Sequence, residues 1–102
     1  MPETQCGGLQ VVPQFDPQRV AVDCLVLDQN VVPEGDIGVE VKAINRNKAP
    51  AAVEYGIFIG ATNQASGVFS VPAEAEGSDT VTFRIGQTGN FDIEVRANIS
   101  RA

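Results

Sequence analysis

The sequence predicts an all-β fold, an antiparallel β-sandwich of about seven strands. Three observations carry that prediction. Val and Ile number 14 and 7, against 3 Leu and 1 Met. β-branched side chains pack well on a pleated surface and are mildly unfavourable in helices. Apolar and polar residues alternate with a period of two in several short stretches, and no stretch holds a 3.6-residue period over three turns. Turn residues punctuate the chain every ~8–15 residues, close to the spacing expected of a sandwich. At 102 residues the chain has room for one domain and a modest core.

Residues 1–18 form an N-terminal arm that ends in a short extended segment, and residues 19–102 form the sandwich. The arm is polar over residues 1–8. Leu9–Phe15 is an edge or irregular strand, because Pro13 removes a backbone donor. Asp16-Pro17 marks a turn. Arg19–Asp28 is the first long strand, with Val20, Val22, Cys24 and Val26 on one face. Ala21, Asp23, Leu25 and Leu27 lie on the other, so both faces are largely apolar. Val32-Pro33-Glu34-Gly35-Asp36 supplies the next turn.

Ile37–Ala43 alternates cleanly, with Ile37, Val39, Val41 and Ala43 inward. After a turn at 45–50, Val53–Ile59 carries Val53, Tyr55, Ile57 and Ile59 inward and leaves Phe58 facing out. Residues 60–67 read as a loop and 67–71 as a short strand, followed by an acidic connection at 72–78. Thr80–Ile85 turns Val81, Phe83 and Ile85 inward. Phe91–Ile99 has the clearest alternation, with Phe91, Ile93, Val95, Ala97 and Ile99 on one face.

This order resembles a CARDB-type immunoglobulin-like domain. The residues that carry the likeness are Val32-Pro33-Glu34-Gly35-Asp36, the strand ending near Asn45, and Ala51-Ala52-Val53. Val71-Pro72-Ala73, Ser78-Asp79-Thr80-Val81-Thr82-Phe83 and Gly89-Asn90-Phe91-Asp92-Ile93-Glu94-Val95 continue it. It spans roughly residues 19–99. The resemblance implies a non-catalytic, seven-stranded immunoglobulin-like sandwich of the kind found in prokaryotic surface proteins.

Composition excludes several chemistries. The chain has no His and no Trp, which removes His-based acid–base catalysis, Ser-His-Asp and Cys-His triads, and His-ligated metals. A net charge of −6 disfavours binding to nucleic acid and to anionic membranes. No apolar run is long enough to span a bilayer. With 2 Lys and 5 Arg, the acidic, lysine-poor balance suits a high-salt, halophilic setting as well as an ordinary acidic domain.

Asp23, Asp28, Glu34, Asp36, Glu74, Glu76 and Asp79 are the acids that catalysis or calcium would need. No pair is placed in one cleft, and neither acidic loop shows an EF-hand spacing. No enzyme activity, cofactor or metal is expected. Asn98-Ile99-Ser100 matches a glycosylation sequon, a three-residue pattern that chance supplies often. A Cys6–Cys24 disulfide would close a loop of about 18 residues and contribute about 3 kcal/mol. The other reading leaves Cys24 a buried thiol inside an apolar run and Cys6 a free thiol near the terminus.

The misplaced apolar residues Val11, Val12, Phe15, Leu25, Leu27 and Phe58 are candidates for an interface. Alternatively, residues 9–15 cover Leu25 and Leu27 as an extra strand, or a bulge turns Phe58 inward. The N-terminus has neither the basic nor the apolar region of a signal peptide. A surface-type fold without a signal predicts a virion component, such as a capsid decoration, turret or tail-accessory subunit of a prokaryotic virus. Its partners would be copies of itself or other structural subunits. The alternative is a cell-surface adhesion module from a longer secreted chain. A carbohydrate-binding sandwich fits less well, since a single Tyr and no Trp leave little surface for sugar stacking.

Overall fold

Strand alternation decides which side chains meet. The computed structural model describes residues 3–28 and 30–102. In order, the strands are β1 (Val20–Val26), β2 (Asp36–Asn45), β3 (Ala51–Ile59), β4 (Thr62–Val71), β5 (Glu76–Arg84) and β6 (Glu94–Arg101). They form two three-stranded antiparallel sheets, β1-β2-β5 and β4-β3-β6. No α-helix occurs among the described residues. The sheets pack face to face, and the inward residues of the central strands seal the core. Val39, Val41 and Ala43 of β2 and Val53 and Ile57 of β3 are fully buried. Central position explains this, because each of these strands has a neighbour on both sides as well as a sheet above it.

The inward set on each strand is the one that alternation predicts. Val20, Val22, Cys24 and Val26 of β1 face or flank the core, and so do Val81 and Phe83 of β5. Four features differ from the sequence reading. The described residues hold six of the about seven strands expected. Leu9–Phe15 pairs with no strand, and its backbone hydrogen bonds to the body begin only at Gln14.

The region read as a loop at 60–67 is mostly strand. β3 turns at Gly60-Ala61 and pairs again from Thr62. Gly60 has φ +60°, as the first central residue of a type II′ hairpin requires. The polar run Asn63-Gln64-Ala65-Ser66 hides this edge strand, which is held by backbone pairing more than by apolar burial. Lastly, β6 starts at Glu94, and Phe91–Ile93 lies outside the sheet.

The molecule is markedly elongated. Its Cα radius of gyration is 19.2 Å and its extents are 78 × 23 × 21 Å, against about 13 Å for a compact chain of this length. The arm accounts for the excess. A ten-residue strand is only ~33 Å long, whereas residues 3–13 are exposed and make no hydrogen bond to the rest of the described chain.

Candidate interaction surfaces

The root of the arm is built from two buried asparagines that the sequence reading placed in an ordinary turn. Asn45 and Asn47 are 1% and 0% exposed. The Asn45 amide donates to the carbonyls of Ala49, Val71 and Pro72 at 2.9, 3.3 and 3.1 Å. Its oxygen accepts from the Asn47 backbone and side-chain N–H groups, both at 3.0 Å. Asn47 then grips the arm. Its Oδ1 accepts from the Asp16 N–H at 2.8 Å, and its amide donates to the Asp16 carbonyl at 3.0 Å.

Asn47 thus offers Asp16 the donor and acceptor pair that a neighbouring strand would offer. The Lys48 N–H donates to the Gln14 carbonyl, and Phe15 packs against the Val20–Ala51–Val71 end of the core. Of the interface candidates, Phe15 therefore serves the chain's own core. Asp16 also caps the 3₁₀ turn Pro17–Arg19 by accepting from the Gln18 N–H. No sequence signal separates these asparagines from solvated turn residues, since burial decides their role.

Beyond this root the arm is bare. Leu9 is 90% exposed and Val11 is 86% exposed, with Val12 less so. Leu25 stands on the outer face of β1 and Leu27 just beyond its end, both exposed. Leu25 lies opposite Glu40, and Leu27 leans on Gly38. Residues 9–15 do not cover them. Cys6 is an exposed free thiol in the arm, and Cys24 is a half-buried free thiol on the inward face of β1.

Phe58 lies on the outer face of the β4-β3-β6 sheet. A register shift does occur between Ile57 and Phe58, but it leaves the ring outside, under the Arg96 guanidinium at 4.3 Å from its centroid. Arg96 also donates to the Gly60 carbonyl and pairs with Glu94. Gly56 makes room here, since a Cβ at that position would sit 2.7 Å from the Phe58 ring and 2.8 Å from the Asn63 amide. A shallow depression of about 560 Å³ results, lined by Phe58, Asn63, Ser66, Val68, Arg96 and Asn98 among others. The sequon asparagine, Asn98, therefore sits within a strand.

The acids considered for catalysis or calcium are dispersed. Asp36 pairs with Arg84 and Glu74 with Lys48. Asp28 accepts from the Gly38 N–H at 3.4 Å. Asp79 turns inward and accepts from the Tyr55 hydroxyl at 2.6 Å. Its parity with Val81 and Phe83 places it on the inward face, and extending the β5 alternation by one step would have revealed this. Burial first, then the bond to Asp79, raise the Tyr55 pKa above the ordinary tyrosine range. Among the described residues, no three His, Cys, Asp or Glu converge as a metal site would require.

A second depression, about 540 Å³, lies at the pole opposite the arm. Val26, Val31, Val32, Ile37, Ile85, Phe91 and Ile93 give it apolar walls. Val32 and Phe91 remain 75% and 39% exposed there. Comparison with family models, with curated proteins and with solved structures returns no match. The CARDB-type resemblance therefore rests on the sequence pattern.

Proposed function

We propose that the protein is a non-enzymatic structural subunit, an immunoglobulin-like sandwich that docks to copies of itself or to other subunits of a larger assembly. The observation that carries this reading is the arm. It is an extended segment with exposed Leu9 and Val11, held out from the body by the Asn47–Asp16 clamp. Apolar side chains displayed this way lose nothing in the free subunit and gain burial only against a partner.

The strand order supports the immunoglobulin-like assignment. The arrangement β1-β2-β5 over β4-β3-β6 follows the A-B-E and C′-C-F order of that fold, with β1 to β6 as A, B, C, C′, E and F. A virion surface is the proposed setting, consistent with an acidic exterior of net charge −6. A cell-surface module is the second reading. A density gradient of native source material, with the chain located by mass spectrometry, separates them. Migration with a particle that contains nucleic acid is the expected result. Migration with envelope fragments transfers the role to the cell surface, and a chain that associates with nothing removes both.

A further inference from the structure

We infer that the arm of one copy adds to the free edge of β6 in a second copy, so that subunits join head to tail by strand exchange. This deepens the assembly reading above by naming the contact, and the inference does not depend on the setting.

The acceptor is the outer edge of β6. Among the described residues β6 pairs only with β3, so its outer edge is open. In an immunoglobulin-like sheet a further strand pairs at this position. The open edge leaves inward residues uncovered. Val95 lies directly opposite Ile57 and Ala97 directly opposite Tyr55. Ile57 and Tyr55 are sealed, whereas Val95 is half-buried and Ala97 is exposed. β6 has no buried residue, although alternation aims half of it at the core. β1, the facing edge, approaches β6 less closely than β5 approaches β4. A seam is left along the core.

The donor matches it in pattern, length and direction. Leu9 and Val11 are two residues apart, so an added strand turns both to the same side. Residues 3–13 reach ~36 Å when extended, and the length of β6 is ~26 Å, at ~3.3 Å per residue. β6 runs toward the Asn45–Asn47 pole, where Arg101 pairs with Ala51, and the arm leaves from that same pole. Folded back on its own body, the arm would lie parallel to β6. Entering a second, coaxially stacked copy through the opposite pole, it runs antiparallel to β6, the better-bonded arrangement. The Gln14–Asp16 clamp to Asn47 and Lys48 already points the chain off the end of the body. Inward parity brings odd-numbered arm residues against Val95, Ala97 and Ile99, and Leu9 can fill the space over Ala97. Strand addition supplies main-chain bonds for affinity and side-chain pockets for register. Since donor and acceptor are different surfaces, the contact is heterologous and propagates as an open chain or closes as a ring.

The test is sedimentation of variants of the 102-residue chain over a concentration series. The wild-type chain is expected to form a ladder of multiples of 10.8 kDa. Leu9→Asp combined with Val11→Asp should remain monomeric at every concentration and melt like the wild-type monomer, because these side chains touch nothing in their own copy. Ala97→Arg blocks the acceptor and should also be monomeric. An equimolar mixture of the two should give a species of twice the chain mass and nothing larger, since one intact arm and one intact edge remain. Hydrogen exchange should then show β6 amides protected in the acceptor variant with Leu9→Asp and Val11→Asp, the copy that keeps its edge.

A monomeric wild type at millimolar concentration would overturn the inference. So would arm variants that associate like the wild type, or a mixture that stays monomeric. Amide protection of residues 9–15 in a monomer would also overturn it, by showing the arm closed on its own body. None of these results touches the density-gradient outcome, so the assembly reading stands or falls separately.

Discussion

On the β4–β5 side of the sandwich, Tyr55 crosses between the sheets. Its hydroxyl reaches Asp79, and its ring meets Phe69 edge to face at 5.9 Å. Gly67 permits this, because a Cβ there would lie 2.7 Å from the Tyr55 ring carbon that bears the hydroxyl. On the β1–β6 side, the described residues offer only aliphatic side chains and the Cys24 thiol, with no hydrogen bond between those two strands. One side is closed by a specific polar and aromatic bridge, and the other is left to whatever adds along it. A sheet edge with unpaired backbone groups and half-covered apolar residues invites strand addition. The contrast teaches that two edges with similar alternation differ in closure according to what spans them.

The largest test of this contrast uses the directly opposed pair. Ile57→Asp is expected to abolish folding, because a carboxyl group in a sealed apolar site must be buried unpaired or take up a proton, a cost comparable with a small domain's whole stability of about 5–15 kcal/mol. Val95→Asp, in the same layer, should fold and lose only about 2–3 kcal/mol, since its carboxylate can reach water along the seam. Alternation alone predicts that Val95→Asp unfolds the domain; the structure revises this. Chemical denaturation of both variants checks it, and equal losses would mean that the seam is closed.

Next in size is Asn45→Ala. It removes the donor to three carbonyls and the acceptor for Asn47, so a loss of about 3 kcal/mol is expected. Asp16 amide exchange should rise with it, as the clamp on the arm loosens. Tyr55→Phe should cost about 1–2 kcal/mol at neutral pH by leaving Asp79 without its donor.

It should also change the pH profile. Folding raises the Tyr55 pKa, so its stabilisation is complete below the ordinary value of about 10. That contribution is lost as pH rises through the folded value. Denaturation midpoints at pH 8 and pH 11 should fall more for wild type than for Tyr55→Phe. The smallest effect belongs to Arg84→Ala. The Arg84–Asp36 pair is solvent-exposed, and such pairs contribute little; its melting temperature should match the wild type in high salt.

Much of the fold is legible in the chain. The β-branched composition and period-two alternation give the all-β class, and the positions of β1, β2 and β3 follow from where alternation starts and stops, whereas β5 begins at Glu76, inside the stretch read as an acidic connection. The inward residues of these strands follow as well. β4 is obscured because Asn63, Gln64 and Ser66 carry no apolar signal, and an edge strand can be held by backbone pairing alone. Val11, Leu25, Leu27 and Phe58 stand out as misplaced apolar residues, and the structure leaves them on the surface or, for Phe58, under Arg96.

Other features belong to the tertiary structure. Phe15 is an interface candidate by sequence and a core plug in the fold. Asn45 and Asn47 look like turn residues until burial forces each polar atom to find a partner. Alternation gives β6 the same inward face as β3, yet burial along it depends on a neighbour at its outer edge. Local sequence determines which way a side chain points, because strand geometry repeats every two residues. Whether that direction ends in a sealed core, a clamp or an open seam is decided by which strands lie alongside, and only the assembled sheets fix that.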